Sequence, residues 1–85
     1  MSDLQARFEA AVAGSKALSE RPDNATLLDI YALYKQATTG DAEGKRPGFS
    51  DMIGRAKHDA WAALKGTGRE EAMQRYVALV DSLKG

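Results

Sequence analysis

Apolar residues in this chain recur at intervals of three and four and nowhere alternate with polar ones over a strand's length, which is the period of an α-helix. The last segment shows it most clearly. Ala72, Met73, Tyr76, Val77, Leu79, Val80 and Leu83 fall on one side, with Glu71, Gln74, Arg75, Asp81 and Ser82 mostly opposite. The first segment sets Leu4, Phe8, Ala11, Val12, Ser15 and Leu18 on one arc. The residues between such stretches punctuate them. Asp3 can cap a first helix and Arg21-Pro22 ends it, while Asp23 or Asn24 can cap a second by accepting from the free amides of its first turn. Gly40 suits a left-handed stop, and the Gly- and Pro-containing stretch from Thr39 to Ser50 is the longest connection. Ser50 or Asp51 opens a third helix that Gly66 closes, and Thr67 and Glu70 have the spacing of a capping box for a fourth. The pattern therefore predicts helices over about residues 4–18, 24–38, 51–64 and 68–84. Helices of that length are marginal alone in water, so their apolar faces should close on one another as an all-α four-helix bundle.

Composition trims the range of functions. The 85 residues suit a single domain, 1–85, with one small core. There is no cysteine, which removes disulfide frameworks and thiolate sites and suits a reducing compartment. The first residues lack an apolar leader, and no apolar run approaches a bilayer's thickness. The expectation is a soluble, cytoplasmic monomer without stable membrane insertion. Formal net charge is zero, yet residues 31–69 hold seven basic and four acidic groups while residues 1–30 hold three and five. A zero total argues against a nucleic-acid partner, which needs a broad basic face; the local excess still admits a compact polyanion. One histidine, no glycine-rich phosphate loop after a strand and no metal-ligand spacing leave neither an enzyme nor a metal site to expect, and no cofactor.

The residues that break the pattern carry the chemistry. With Leu27 at zero on the second helix, Tyr34 and Tyr31 flank it and Lys35 lies at about 80°, inside the apolar arc. On the third helix Lys57 lies between Leu64 and Trp61, and on the first Lys16 borders Val12 in the same way. A lysine stem can snorkel along apolar surface with its head in water, and that reading stands for any one of them. Three lysines at three apolar seams, with Tyr31, Tyr34 and Tyr76 facing inward, also match what a ligand with phosphates, a flat base and a greasy tail requires. The tyrosines could equally be core aromatics, Tyr76 most of all, and Trp61 among its alanines reads first as core.

The string from Tyr31 to Asp41, followed by Arg46-Pro47-Gly48, Gly54, Ala56-Lys57, Asp59-Ala60-Trp61, Leu64-Lys65-Gly66, Glu71-Ala72-Met73 and Tyr76, resembles the acyl-CoA-binding proteins, also called diazepam-binding inhibitors. Single pieces are weak, but the ordered set is specific and spans nearly the whole chain. The resemblance implies an up-down-down-up bundle that carries long-chain acyl-CoA in the cytosol. It further implies that Tyr31 contacts the adenine, that Tyr34 lines the same pocket, and that Lys35 and Lys57, with Lys16 in support, face the phosphates. Tyr76 would lie against the pantetheine or acyl portion, and Phe8, Val12, Leu27 and Leu28 would be available to the acyl chain. His58 departs from the family, which usually has tryptophan there; its position off the apolar arc predicts a solvated side chain. The competing expectation is a small helical interaction adaptor, in which the same tyrosines, lysines and apolar strip contact another protein.

Overall fold

A computed structural model describes residues 3–84. It contains α1 (Asp3–Ser15), α2 (Asn24–Thr38), α3 (Met52–Ala62) and α4 (Arg69–Leu83), with no strand among the described residues. The punctuation explains most of these limits. Asp23 caps α2 by accepting from the Thr26 amide at 2.8 Å, and Asp51 caps α3 by accepting from Gly54 at 2.9 Å. At the other end of α2, Gly40 turns the chain with φ of 97° while its amide reaches back to the Lys35 carbonyl. Only glycine enters that region without strain.

Three local expectations fail for identifiable reasons. Asp3 is the first residue of α1 rather than a cap before it. α1 also stops at Ser15, not Leu18: the Ser15 hydroxyl donates back to the Val12 carbonyl at 2.7 Å, and the amides of Lys16 and Ala17 reach back only three residues. Such back-bonding competes with the regular ladder. The Thr67 and Glu70 capping box does not form either. Gly68 is the N-cap of α4 and makes no side-chain cap bond, while the Thr67 carbonyl accepts from the Gln36 side chain.

Side-chain neighbours give the direction of every helix. Phe8 meets Tyr76 and Gly14 lies against Val80 and Lys84, so α1 and α4 run the same way. Gln36 near the end of α2 reaches Thr67 just before α4, so those two are antiparallel. Tyr31 pairs with Lys57 and Lys35 with Trp61, one turn further along both helices, so α2 and α3 are parallel. The result is an up-down-down-up bundle. α4 is central, packing on α1 and α2, and α3 packs on α2 alone.

The core follows from that arrangement. Phe8, Ala11, Leu33, Ala37, Ala72, Tyr76 and Val80 form one buried cluster drawn from α1, α2 and α4, with Val12, Ile30, Leu64 and Met73 packed around it. α3 contributes no fully buried residue. Burying an aliphatic or aromatic side chain contributes roughly 1.5–3 kcal/mol, so the three-helix core supplies most of the stability and α3 is held by other means. Polar contacts are prominent among them. The Trp61 indole N–H donates to the Gly40 carbonyl at 2.7 Å, and Arg46 makes a two-point bridge to Asp59 at 2.7 and 2.6 Å. The buried Gln36 amide donates to Asp41 and to the Thr67 carbonyl, both at 2.8 Å, and Asp41 also accepts from the Gly66 amide at 2.9 Å. One side chain thus ties the end of α2 to both of the following connections.

Candidate functional site

Because α3 touches only α2, a groove remains between them. It has a volume of ≈ 660 Å³ and is walled by Leu27, Leu28, Ile30 and Tyr31 from α2 and by Met52, Ile53, Ala56 and Lys57 from α3, with Arg21 and Asn24 at one end. That size is in the range of small-molecule sites. Its walls change character along their length. Nearer the helix N-termini the walls are apolar, made by Leu27, Leu28, Met52 and Ile53, with Arg21 and Asn24 at their edge. Further along, the Lys57 ammonium stands 5.3 Å from the Tyr31 ring centroid, and one turn beyond it the Lys35 ammonium stands 4.9 Å from that of Trp61.

These contacts answer how a lysine sits at an apolar seam. Neither Lys35 nor Lys57 takes part in an ion pair among the described residues; each lies over an aromatic ring. A cation over a ring face gains roughly 0.5–1 kcal/mol at an exposed site, far less than a phosphate would give, so both charges stay available to an anion. Trp61 is half-buried and its N–H is satisfied, so the ring is fixed beneath Lys35 rather than lost in the core.

The other residues singled out from the sequence lie elsewhere. Phe8, Tyr34 and Tyr76 form an aromatic cluster where α1, α2 and α4 meet: Phe8 is 6.1 Å from Tyr34 and 5.1 Å from Tyr76, centroid to centroid. Tyr76 is 2 % exposed and its hydroxyl lies 3.1 Å from Ser15 Oγ, whereas Tyr34 is 40 % exposed. Val12 packs against the core beside this cluster. Lys16 is exposed in the turn after α1. The structure therefore brings together Leu27, Leu28, Tyr31 and Lys57, sets Lys35 one turn further on, and separates Phe8, Val12, Lys16, Tyr34 and Tyr76 from the groove walls.

Sequence reading passed over Arg21, Asn24, Ile30, Met52, Ile53 and Ala56 as lining residues. The signal for Met52 and Ile53 was an apolar pair in the first turn of a helix, which a wheel assigns to a core. His58 is a correction. Its side chain is 20 % exposed, not solvated, and both ring nitrogens are out of solvent without a hydrogen-bond partner, Nδ1 lying 4.0 Å from Asp59. The preceding loop runs back along the helix that carries His58, from Gly40 at Trp61 through Arg46 at Asp59 to Phe49 at Arg55. The loop pins also set local charge. The Arg46 guanidinium holds the Asp59 carboxyl below its ordinary range, and the Gly66 amide with the Gln36 side chain does the same for Asp41.

No group of three or more His, Cys, Asp or Glu side chains is gathered among the described residues, and no helix is long and apolar enough to cross a membrane. The groove offers an apolar trough with one uncommitted cation over an aromatic ring, Lys57 over Tyr31, and a second such pair, Lys35 over Trp61, stands one turn beyond it. The family of proteins described as acyl CoA binding protein matches residues 5–80. An acyl-CoA-binding protein homolog from Manduca sexta is 43% identical over 81 residues, covering 94% of this chain and 90% of that relative. The acyl-CoA-binding protein of Saccharomyces cerevisiae is 45% identical over 76 residues, covering 89% and 87%. Acyl-CoA-binding protein 2 from Oryza sativa, a crystal structure, superposes with a TM-score of 0.91 at 41% identity, over 95% of this chain and 88% of that one. In sequence and in fold, this chain belongs to the acyl-CoA-binding protein family.

Proposed function

We propose that the chain binds long-chain fatty acyl-CoA thioesters and carries them without catalysing a reaction on them. It acts as a monomeric, cytoplasmic carrier and buffer in lipid transport and fatty acid metabolism, with residues 1–85 working as a single acyl-CoA-binding domain. The observation that carries this reading is the placing of charge along the groove: the Lys57 ammonium in its wall and the Lys35 ammonium one turn beyond, against the apolar walls of Leu27, Leu28, Met52 and Ile53. The ligand has the same polarity, with phosphates at its head and methylenes at its tail.

In this reading Lys57 and Lys35 meet the phosphates, above all the ribose 3′-phosphate, and Tyr31 contacts the adenine. A charge-assisted contact of this kind contributes roughly 1.5–3 kcal/mol. Lys16 supports the phosphates from the turn after α1. Tyr34 offers its exposed edge beside Tyr31, and Tyr76 acts from the aromatic cluster beneath it, toward the pantetheine. Leu27 and Leu28 take the acyl chain, with Phe8 and Val12 as further apolar surface on α1. Each methylene removed from water adds about 0.8 kcal/mol, so the thioester should bind far better than either of its parts.

Calorimetric titration with palmitoyl-CoA, free CoA and palmitate tests this. The expected outcome is one-to-one binding in which palmitoyl-CoA is tighter than CoA and than palmitate by orders of magnitude. Absence of saturable binding at micromolar palmitoyl-CoA would sink the proposal.

A further inference from the structure

The apolar trough ends on a charge that a plain hydrocarbon tail does not use. Beyond its aliphatic walls the groove is bounded by Arg21, in the link before α2, and by Asn24, the first residue of that helix. Arg21 joins no ion pair among the described residues. Its hydrogen bond to Asn24 Oδ1, at 3.4 Å, is at the long limit for such a contact. Of its two acidic neighbours in sequence, Asp23 is committed to the Thr26 amide and Glu20 lies outside the groove wall. An arginine stem often runs along apolar surface with its head in water, and Arg21 is exposed in that way. Its position is the informative part. Asn24 and Tyr31 are two turns apart on α2, so about 10 Å of helix separates this guanidinium's end of the groove from the Lys57 end.

We propose that Arg21 binds an anionic ω-terminus, so that the groove takes acyl-CoA thioesters whose tails end in a carboxylate as well as those ending in a methyl group. The added ligand class is the mono-CoA thioester of a long dicarboxylic acid. This deepens the acyl-CoA reading and rests on it. Such a ligand has phosphates, then methylenes, then a second anion, and the chain sets out Lys35 and Lys57, then aliphatic walls, then Arg21 in the same order. A wholly apolar end would reject the carboxylate, because taking it from water without a partner is costly. A guanidinium instead presents a planar fork that matches both carboxylate oxygens. The same end is open to water, so a methyl terminus is not excluded by the charge beside it.

The test is calorimetric titration of the whole protein, of Arg21→Gln and of Arg21→Lys with palmitoyl-CoA and with hexadecanedioyl-CoA, its ω-carboxy counterpart of equal chain length. The readout is the ratio of hexadecanedioyl-CoA affinity to palmitoyl-CoA affinity, in which any general effect of a substitution cancels. In the unaltered protein the two affinities should be similar. Arg21→Gln should lower the ratio about fivefold, the scale of losing one partly exposed charge pair, and Arg21→Lys should keep most of it. Raising salt should lower the ratio in the two charged forms and leave it nearly constant in Arg21→Gln. Three results would overturn the proposal: hexadecanedioyl-CoA weaker by about tenfold or more in the unaltered protein, a ratio unmoved in Arg21→Gln, or equal falls in Arg21→Gln and Arg21→Lys, which would make shape rather than charge the cause. Any of these beside tight palmitoyl-CoA binding leaves the carrier reading standing. Failure of both thioesters to bind would overturn the carrier reading and this proposal together.

Discussion

Two regions of this molecule are built from the same residue types and end in opposite states. Where α1, α2 and α4 meet, Phe8, Tyr34 and Tyr76 pack ring to ring and the Tyr76 hydroxyl is bound to Ser15. Where α2 meets α3, Tyr31 and Trp61 are half-buried and each carries a lysine ammonium over its ring. The difference lies in the number of neighbours. α4 is covered by two helices and completes its shell, while α3 has one, so its apolar stripe becomes a wall rather than a core. An aromatic on a helical stripe therefore reports its stripe, and only the neighbouring helix decides between stability and binding.

Substitution can break that comparison. Tyr76→Ala should lower the unfolding free energy by about 3–5 kcal/mol in urea titration, the usual range for emptying a buried aromatic site. Tyr31→Ala, at the groove, should change stability far less; equal losses in the two variants would erase the distinction drawn here. Next in size, Lys35→Ala and Lys57→Ala should each weaken palmitoyl-CoA binding by about tenfold or more, with unfolding midpoints and helical circular dichroism nearly unchanged. Unfolding of both variants would return those lysines to a structural role.

The smallest effect sharpens the comparison from the side of the loop. Asp59 and Asp41 have folded-state values held below the ordinary carboxylate range, so the stability they contribute is present above that range. It is lost as pH falls through the lowered values. Both act on the attachment of α3 and of the connections around it. Acid titration should therefore shift the emission of Trp61, the one tryptophan, before far-ultraviolet ellipticity falls, and Arg46→Ala should move that shift to higher pH. Coincident transitions would mean that α3 and the core melt together.

How far the sequence was legible follows the same division. Gly40 and Gly66 act through their own backbone, and Asp23 and Asp51 through carboxylates that accept from amides three residues on, so a linear reading finds the turns and caps they make. Thr67 has the right spacing for a capping box, but its surroundings are set by Gln36, thirty-one residues earlier, and no local rule contains that partner. His58 fails similarly: a wheel describes one helix alone, and the burial of its ring is not contained in that description. For the groove, Tyr31 and Lys57 stood out on their helix wheels, whereas Leu27 and Leu28 were named only because the family resemblance implied them. Met52 and Ile53 were missed because nothing in an arc says that it will be left half uncovered.

The bonds around Gln36 have a mechanical meaning. They join the C-terminal end of α2 to the turn before α4, and Trp61 is clasped to Gly40 at the same end of α3. At the opposite end no side-chain hydrogen bond among the described residues clasps Met52 or Ile53 to another element, and both side chains are exposed. The two helices thus resemble a peg sprung from one end: a slight swing of α3 about its fixed end widens the mouth by the most and shifts Lys35 and Trp61 by the least. In the binding mode proposed above, the ligand would be read strictly at its head and leniently at its tail.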